Sequence, residues 1–294
     1  MMTPHFNRFV APARASAQIW RLVLGAMLIV VVYLVFIMGV FAVAGLLLGP
    51  QKAQQVAGTL TSPDDPVSVL LLLATFPGAA IGTFLATRFI HKRRIGTLFG
   101  PRASVLRDFT AAATITLGLS VIYLAIWGLW FDPVPNLSFT TWITYLPLLL
   151  VGLLVQTGTE EILFRGYLMQ QLAARFRSPV IWFALPALGF AALHFDPAQP
   201  QLTNLFVILA VAVFGFAAAD LTRVTGNIGA AWGFHFVNNL FAIGILSLDG
   251  TITGLALHVT PYNTVQIAER PGLLAIDVVA TTIAWLILRR TLRR

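Results

Sequence analysis

From Leu22 to Leu48 the chain runs 27 residues without a charged side chain. A hydrocarbon core of ~30 Å is crossed by a helix of about 20 apolar residues. The run is too long for a cleaved signal peptide and reads as a retained anchor. Seven further stretches have comparable character: Val67–Ile90, Phe109–Phe131, Trp142 into the Arg175 region, Val180–Phe195, Leu202–Thr222, Ile228–Leu248 and Gly272–Leu288. The expected fold is therefore an all-α polytopic membrane bundle of about eight transmembrane helices. It comprises a short basic cytoplasmic arm over residues 1–20 and a single transmembrane domain over 21–294. With 58% hydrophobic and 10% charged residues, the chain lies outside the range of soluble globular domains.

The loop charges test the count. With both termini on the cytoplasmic side, 17 of the 19 Lys and Arg fall in cytoplasmic segments; only Lys52 and Arg270 fall outside. Adding or losing one span scrambles that bias. The same distribution argues against nucleic acid as a partner despite the net charge of +8, because the arginines punctuate apolar runs and form no groove-like patch. The absence of cysteine excludes disulfides, thiolate metal sites and a cysteine nucleophile. Gly78 and Gly82 permit a close helix approach. Trp127, Trp130 and Trp142 lie near expected outer-interface ends, where aromatic anchoring accounts for them.

Against this background the polar residues at membrane depth stand out. Glu160 and Glu161 open E-E-I-L-F-R, which ends at Arg165; His194 ends F-A-A-L-H; His235 and Asn239 bracket H-F-V-N-N. Each is costly to hold inside a bilayer. Glu161 and Arg165 are spaced i,i+4 and can pair, as neighbours on one helix face, leaving Glu160 to point elsewhere. His235 and Asn239 have the same spacing. Glu160 and His194 each lie 17 residues from Arg177, near the turn of their hairpin. They therefore share one expected depth, roughly 25 Å from the turn at ~1.5 Å per residue.

A carboxylate and an imidazole that converge on a water can orient it and take its proton. A second histidine and an amide can donate to a developing oxyanion. The set suits hydrolysis of an amide without a covalent intermediate. Glu160, His194 and His235 could equally ligate a divalent metal such as zinc that activates the water. Proton or ion translocation uses similar residues, so a transporter or proton-coupled carrier is the alternative reading; a non-catalytic membrane scaffold is the third. No H-E-x-x-H, rhomboid-type G-x-S-G or G-x-G-D motif occurs.

At these residues the chain resembles the CPBP family of intramembrane proteases, which includes the Rce1-like CAAX prenyl endopeptidases and the bacterial Abi proteins. The family pattern is E-E-x-x-x-R, F-x-x-x-H and H-x-x-x-N, and all three motifs occur here in order. The resemblance covers about residues 140–246. It implies a hydrolase, a CAAX-type intramembrane endopeptidase, with Glu160 as general base acting with His194 on the water. His235 and Asn239 stabilise the oxyanion, and Glu161 and Arg165 support the site. Members are often labelled metalloproteases; the reading favoured here needs no metal. The implied partners are the lipid bilayer and a peptide or membrane-protein substrate. A composition rich in Ala and Arg and poor in Lys points to a bacterial inner membrane.

Five residues outside the site carry their own expectations. Asp277 is an acid inside the last helix, expected to snorkel outward. Asp220 and Arg223, spaced i,i+3, should pair. His91 lies in the basic segment R-F-I-H-K-R-R and should be solvated, as should His258 in an external loop.

Overall fold

The computed structural model describes residues 2–58 and 62–293. Residues 1 and 294, which end the two expected segments, and residues 59–61, inside the stretch Gly49–Pro66, lie outside the described residues. The chain is an all-α membrane bundle, with helices at all eight of the apolar stretches. In chain order they are α1 (Pro4–Val10), α2 (Ile19–Leu48), α3 (Pro50–Gly58), α4 (Pro66–Thr75), α5 (Pro77–Leu85), α6 (Arg102–Trp127) and α7 (Phe139–Glu161). They continue with α8 (Gln170–Arg175), α9 (Leu185–Ala192), α10 (Gln201–Thr225), α11 (Gly229–Asn239), α12 (Thr264–Ala268) and α13 (Pro271–Leu292).

Among the described residues, five helical stretches are long and apolar enough to cross a membrane: Ile19–Leu48, Pro66–Ile90, Ile95–Trp127, Phe139–Arg175 and Gln201–Thr225. The second joins α4 to α5 through Pro77, which lacks an N–H for the helical ladder but fits the first turn of the new helix. The fourth continues α7 through a π-helical turn, Ile162–Met169, into α8. Val180–Ala192 is apolar but shorter. It ends two residues before His194, which leaves that histidine in the turn after the helix.

Packing follows side-chain size. Most of α2 presents apolar side chains outward, with Leu46 86% and Met38 70% exposed, as a lipid-facing helix requires. It packs tightly on α5. A Cβ on Gly82 would stand 2.9 Å from Ile29 Cα, and one on Gly78 would stand 2.6 Å from Phe36 Cβ. The two glycines thus provide the expected close approach. Phe164, Phe190, Phe214 and Phe234 lie in a central core cluster contributed by the α7 extension, α9, α10 and α11. A second cluster gathers Phe6, Phe9, Tyr167 and Trp182.

The basic arm is folded onto the bundle. Thr3 caps α1 and also donates from Oγ1 to Arg223 O at 2.6 Å, while Phe6 and Val10 are fully buried. Gly49–Pro66 contains α3. The connection Asp249–Pro271 contains α12 and a strand that completes a small sheet of order β1 (Val134–Pro135), β3 (His258–Asn263), β2 (Leu246–Asp249). His258 pairs within that sheet, opposite Pro135 and Leu246. Asp220 accepts from Arg223 at 2.5 Å as expected, and also engages Arg289 at 3.0 Å and Trp285 Nε1 at 3.1 Å, which ties α13 to α10. Asp277 accepts from the Tyr123 hydroxyl on α6.

Candidate active site

The end of α7 carries the glutamates. Glu161 is fully buried; Glu160 keeps 17% of its side chain accessible. Their adjacency rotates them about 100° apart on the helix, so one faces the protein and the other its edge. Glu161 Oε1 accepts from Arg165 Nη1 at 2.9 Å, the pairing that the i,i+4 spacing required. Arg165 is 2% exposed and donates again, from Nη2 to Gly215 O on α10 at 3.2 Å. Its guanidinium lies 5.0 Å from the Phe190 ring centroid. A buried charge pair is tolerable only with such additional partners.

His235, on α11, joins the two carboxylates. Its Nδ1 meets Glu161 Oε1 at 2.8 Å, and its Nε2 stands 3.4 Å from Glu160 Oε2. A carboxylate paired with arginine only accepts hydrogen bonds, so the Nδ1 proton belongs to His235. The ring is 3% exposed and packs against Phe214, at 4.8 Å, and edge-on to Phe190, at 5.8 Å.

Gln156 completes the arrangement. It lies one turn before Glu160 and is 6% exposed. Its Nε2 donates to Glu160 Oε2 at 2.7 Å, and its Oε1 accepts from Asn239 Nδ2 at 3.0 Å. One amide therefore holds both Glu160 and Asn239. No charge drew attention to it in the sequence; its i,i−4 relation to Glu160 in an apolar helix was the available signal.

His194 is exposed and donates from Nδ1 to Phe190 O at 3.0 Å, a carbonyl that can only accept. That leaves Nε2 with its lone pair. The structure does not hydrogen-bond His194 to either glutamate. Its ring sits edge-on to Phe190 at 4.9 Å, on the same phenyl ring that meets Phe164, Arg165 and His235. Phe190 is thus the common floor of the three motifs, and the sequence reading, which singled out only the histidine of F-A-A-L-H, missed it. Among the described residues no three His, Asp or Glu side chains form a group fit to hold a metal ion.

Residues 140–241 match the family described as Type II CAAX prenyl endopeptidase Rce1-like. That stretch contains all three motifs and Gln156. Over 258 residues the chain is 26% identical to the uncharacterized protein YyaK of Bacillus subtilis (strain 168), covering 84% of this chain and 85% of that protein. No solved structure matches.

Proposed function

We propose that the protein is a multi-pass intramembrane endopeptidase that hydrolyses a peptide bond in a peptide or membrane-associated protein, with Glu160 as general base. The observation that carries this reading is the join of Glu160, Gln156, Asn239 and His235 inside the segment that matches the Rce1-like family. Glu160 is the partly accessible member of the glutamate pair, and its position is fixed from two sides.

In this scheme Glu160 takes a proton from a water, while His194 Nε2 accepts the hydrogen bond of the second water hydrogen. The water oxygen forms a bond to the scissile carbonyl carbon, and the carbonyl electron pair moves to oxygen. The second Nδ2 hydrogen of Asn239 donates to that oxyanion. His235 donates from Nε2 when protonated there, as an imidazolium held by Glu161 at Nδ1. Glu160 then returns its proton to the leaving nitrogen as the C–N bond breaks. Arg165 acts through Glu161, holding it in place.

The donor geometry favours the form without a metal. Glu161 Oε1 already accepts two N–H groups and His235 commits Nδ1 to it, which supports writing every step through the chain's own residues. The arginine distribution supports a topology with both chain ends cytoplasmic.

The test is a peptide-cleavage screen on the purified full-length protein, with and without chelator, against Glu160→Gln. Loss of roughly 10²–10⁴-fold in rate is expected for the variant, the usual contribution of a general base. Unchanged cleavage by a folded, inserted Glu160→Gln protein sinks the assignment. Activity lost to chelator and restored by zinc sinks the metal-free form while sparing the protease.

A further inference from the structure

At the end of the bundle where the arm docks, a cavity of about 570 Å³ is built from four segments: the arm, the loop before α6, the start of α6 and the end of α10. Its lining includes Arg8, Arg94, Arg107, His5, Thr97 and Ser104, and no acidic side chain. Arg94 is exposed, and while its carbonyl accepts from Thr97, its guanidinium has no hydrogen-bond or ion-pair partner among the described residues. Arg8 meets the ring of His5 at 2.9 Å. Arg107 touches Asp108 at 3.2 Å, with 57% of its own side chain accessible.

The wall behind adds a further cation. Arg93 is 6% exposed and donates through Nη1 to Gln170 Oε1 at 2.6 Å, while its Nε and Nη2 have no partner among the described residues. Gln170 in turn donates to the carbonyl of Thr97, which lines the cavity. Three arginines facing one concavity repel one another, and a fourth charge in a low-dielectric wall raises the positive potential. The arrangement is relieved by an anion, and guanidinium groups match phosphate oxygens in pairs. The cavity also sits where α6 begins and α10 ends, which are the boundaries of two apolar stretches. That is the level of lipid head groups, where basic pockets between helices hold anionic lipids.

We propose that this cavity binds a phosphate-bearing anion, with Arg8, Arg94 and Arg107 as its ligands and the head group of an anionic lipid as the source its depth favours. The site is independent of the peptidase reading: none of its residues belongs to the glutamate–histidine cluster.

The experiment titrates the delipidated full-length protein, in neutral detergent, with dioctanoyl phosphatidylglycerol, dioctanoyl phosphatidylcholine or inorganic phosphate, and follows heat of binding. Saturable binding of phosphatidylglycerol, at least tenfold tighter than phosphatidylcholine, is expected. The double variant Arg8→Glu/Arg94→Glu should weaken it at least tenfold with an unchanged melting midpoint. Arg290→Glu, an exposed cation away from the cavity, should change it less than twofold. Lipid binding that millimolar phosphate does not displace assigns the site to a head group. Saturable phosphate binding without any response to lipid retains the anion site and overturns the head-group source. No saturable binding of either probe overturns the proposal, as does equal binding by the double variant or equal loss in Arg290→Glu.

Discussion

Two histidines are buried to the same degree in this molecule, and their surroundings could hardly differ more. His235 and His91 are each 3% exposed. His235 stands between two carboxylates, with Glu161 at Nδ1 and Glu160 at Nε2. His91 faces the carbonyl of Ser16 at 3.1 Å and the amide of Gln171 at 2.8 Å with Nδ1, and the Tyr167 hydroxyl at 2.8 Å with Nε2. Arg93 and Arg21 are the charged groups near it. The Ser16 carbonyl only accepts and the Gln171 Nε2 only donates, so Nδ1 serves one of them in either neutral tautomer while the Tyr167 hydroxyl takes the complementary role at Nε2, which makes a neutral ring with both nitrogens engaged. The first arrangement can host a positive charge and a moving proton. The second is a neutral cross-brace between the arm, the end of the second apolar stretch and the α7 extension. Burial of a polar residue marks a functional site only when its partners allow its charge state to change.

The largest expected difference between the two comes from the same substitution at each. His235→Asn should lower cleavage by about 10²–10⁴-fold, the scale for a group that donates to a developing oxyanion or takes part in proton transfer. His91→Asn should leave the rate of the surviving protein within about threefold and lower its melting midpoint. Equal effects on rate would erase the distinction.

Arg165→Met tests what holds the first cluster together. It leaves Glu161 buried with one partner, and breaking a buried pair costs about 3–5 kcal/mol. The expected readout is a large drop in the detergent melting midpoint together with loss of activity. A variant that melts like the parent would show that the buried pair adds nothing to stability.

Gln156→Leu should cost less. It removes the N–H that Glu160 accepts and the acceptor of Asn239, but leaves the Glu161–Arg165–His235 set intact. A net hydrogen bond to a charged group is worth about 1.5–3 kcal/mol, so a rate loss of roughly 10–100-fold is expected. Gln156→Glu, placing a second carboxylate against Glu160, should be worse than Leu. The opposite order would mean that the amide only packs.

How much of this was readable beforehand divides along the same line. The helical stretches, the Glu161–Arg165 and Asp220–Arg223 pairs and the Gly78/Gly82 approach were legible because each is local: hydrophobic run length, i,i+4 or i,i+3 spacing, or a missing side chain. His91 was misread as solvated. Its basic neighbours Lys92 and Arg94 are exposed, but its own partner Tyr167 lies 76 residues away, and no local pattern announces that contact. Gln156 and Phe190 were missed for a related reason. A neutral amide and a phenyl ring are unremarkable in apolar helices until a tertiary neighbour gives them a role. Docking of the arm was likewise invisible, since seven residues of helix reveal nothing of the surface they will cover.

The smallest effect is the most diagnostic of the His91 brace. Burial lowers its pKa from 6.5 to about 4, opposed by the Ser16 carbonyl and assisted by Arg93 and Arg21. Between those two values the unfolded chain binds a proton that the folded chain refuses, so stability rises with pH across that window. The neutral brace is fully effective above pH 6.5 and is lost as the pH falls toward 4. The slope for one such group reaches at most about 1.4 kcal/mol per pH unit. Melting midpoints measured from pH 7.5 down to 4.5 should decline for the parent protein and decline less for His91→Asn, which carries no titrating ring. Tyr167→Phe, which removes the hydroxyl at Nε2, should decline less than the parent and level off at a higher pH, because a folded ring that protonates more readily narrows the window below 6.5. Identical profiles for the parent and His91→Asn would place the acid sensitivity elsewhere and leave His91 as packing alone.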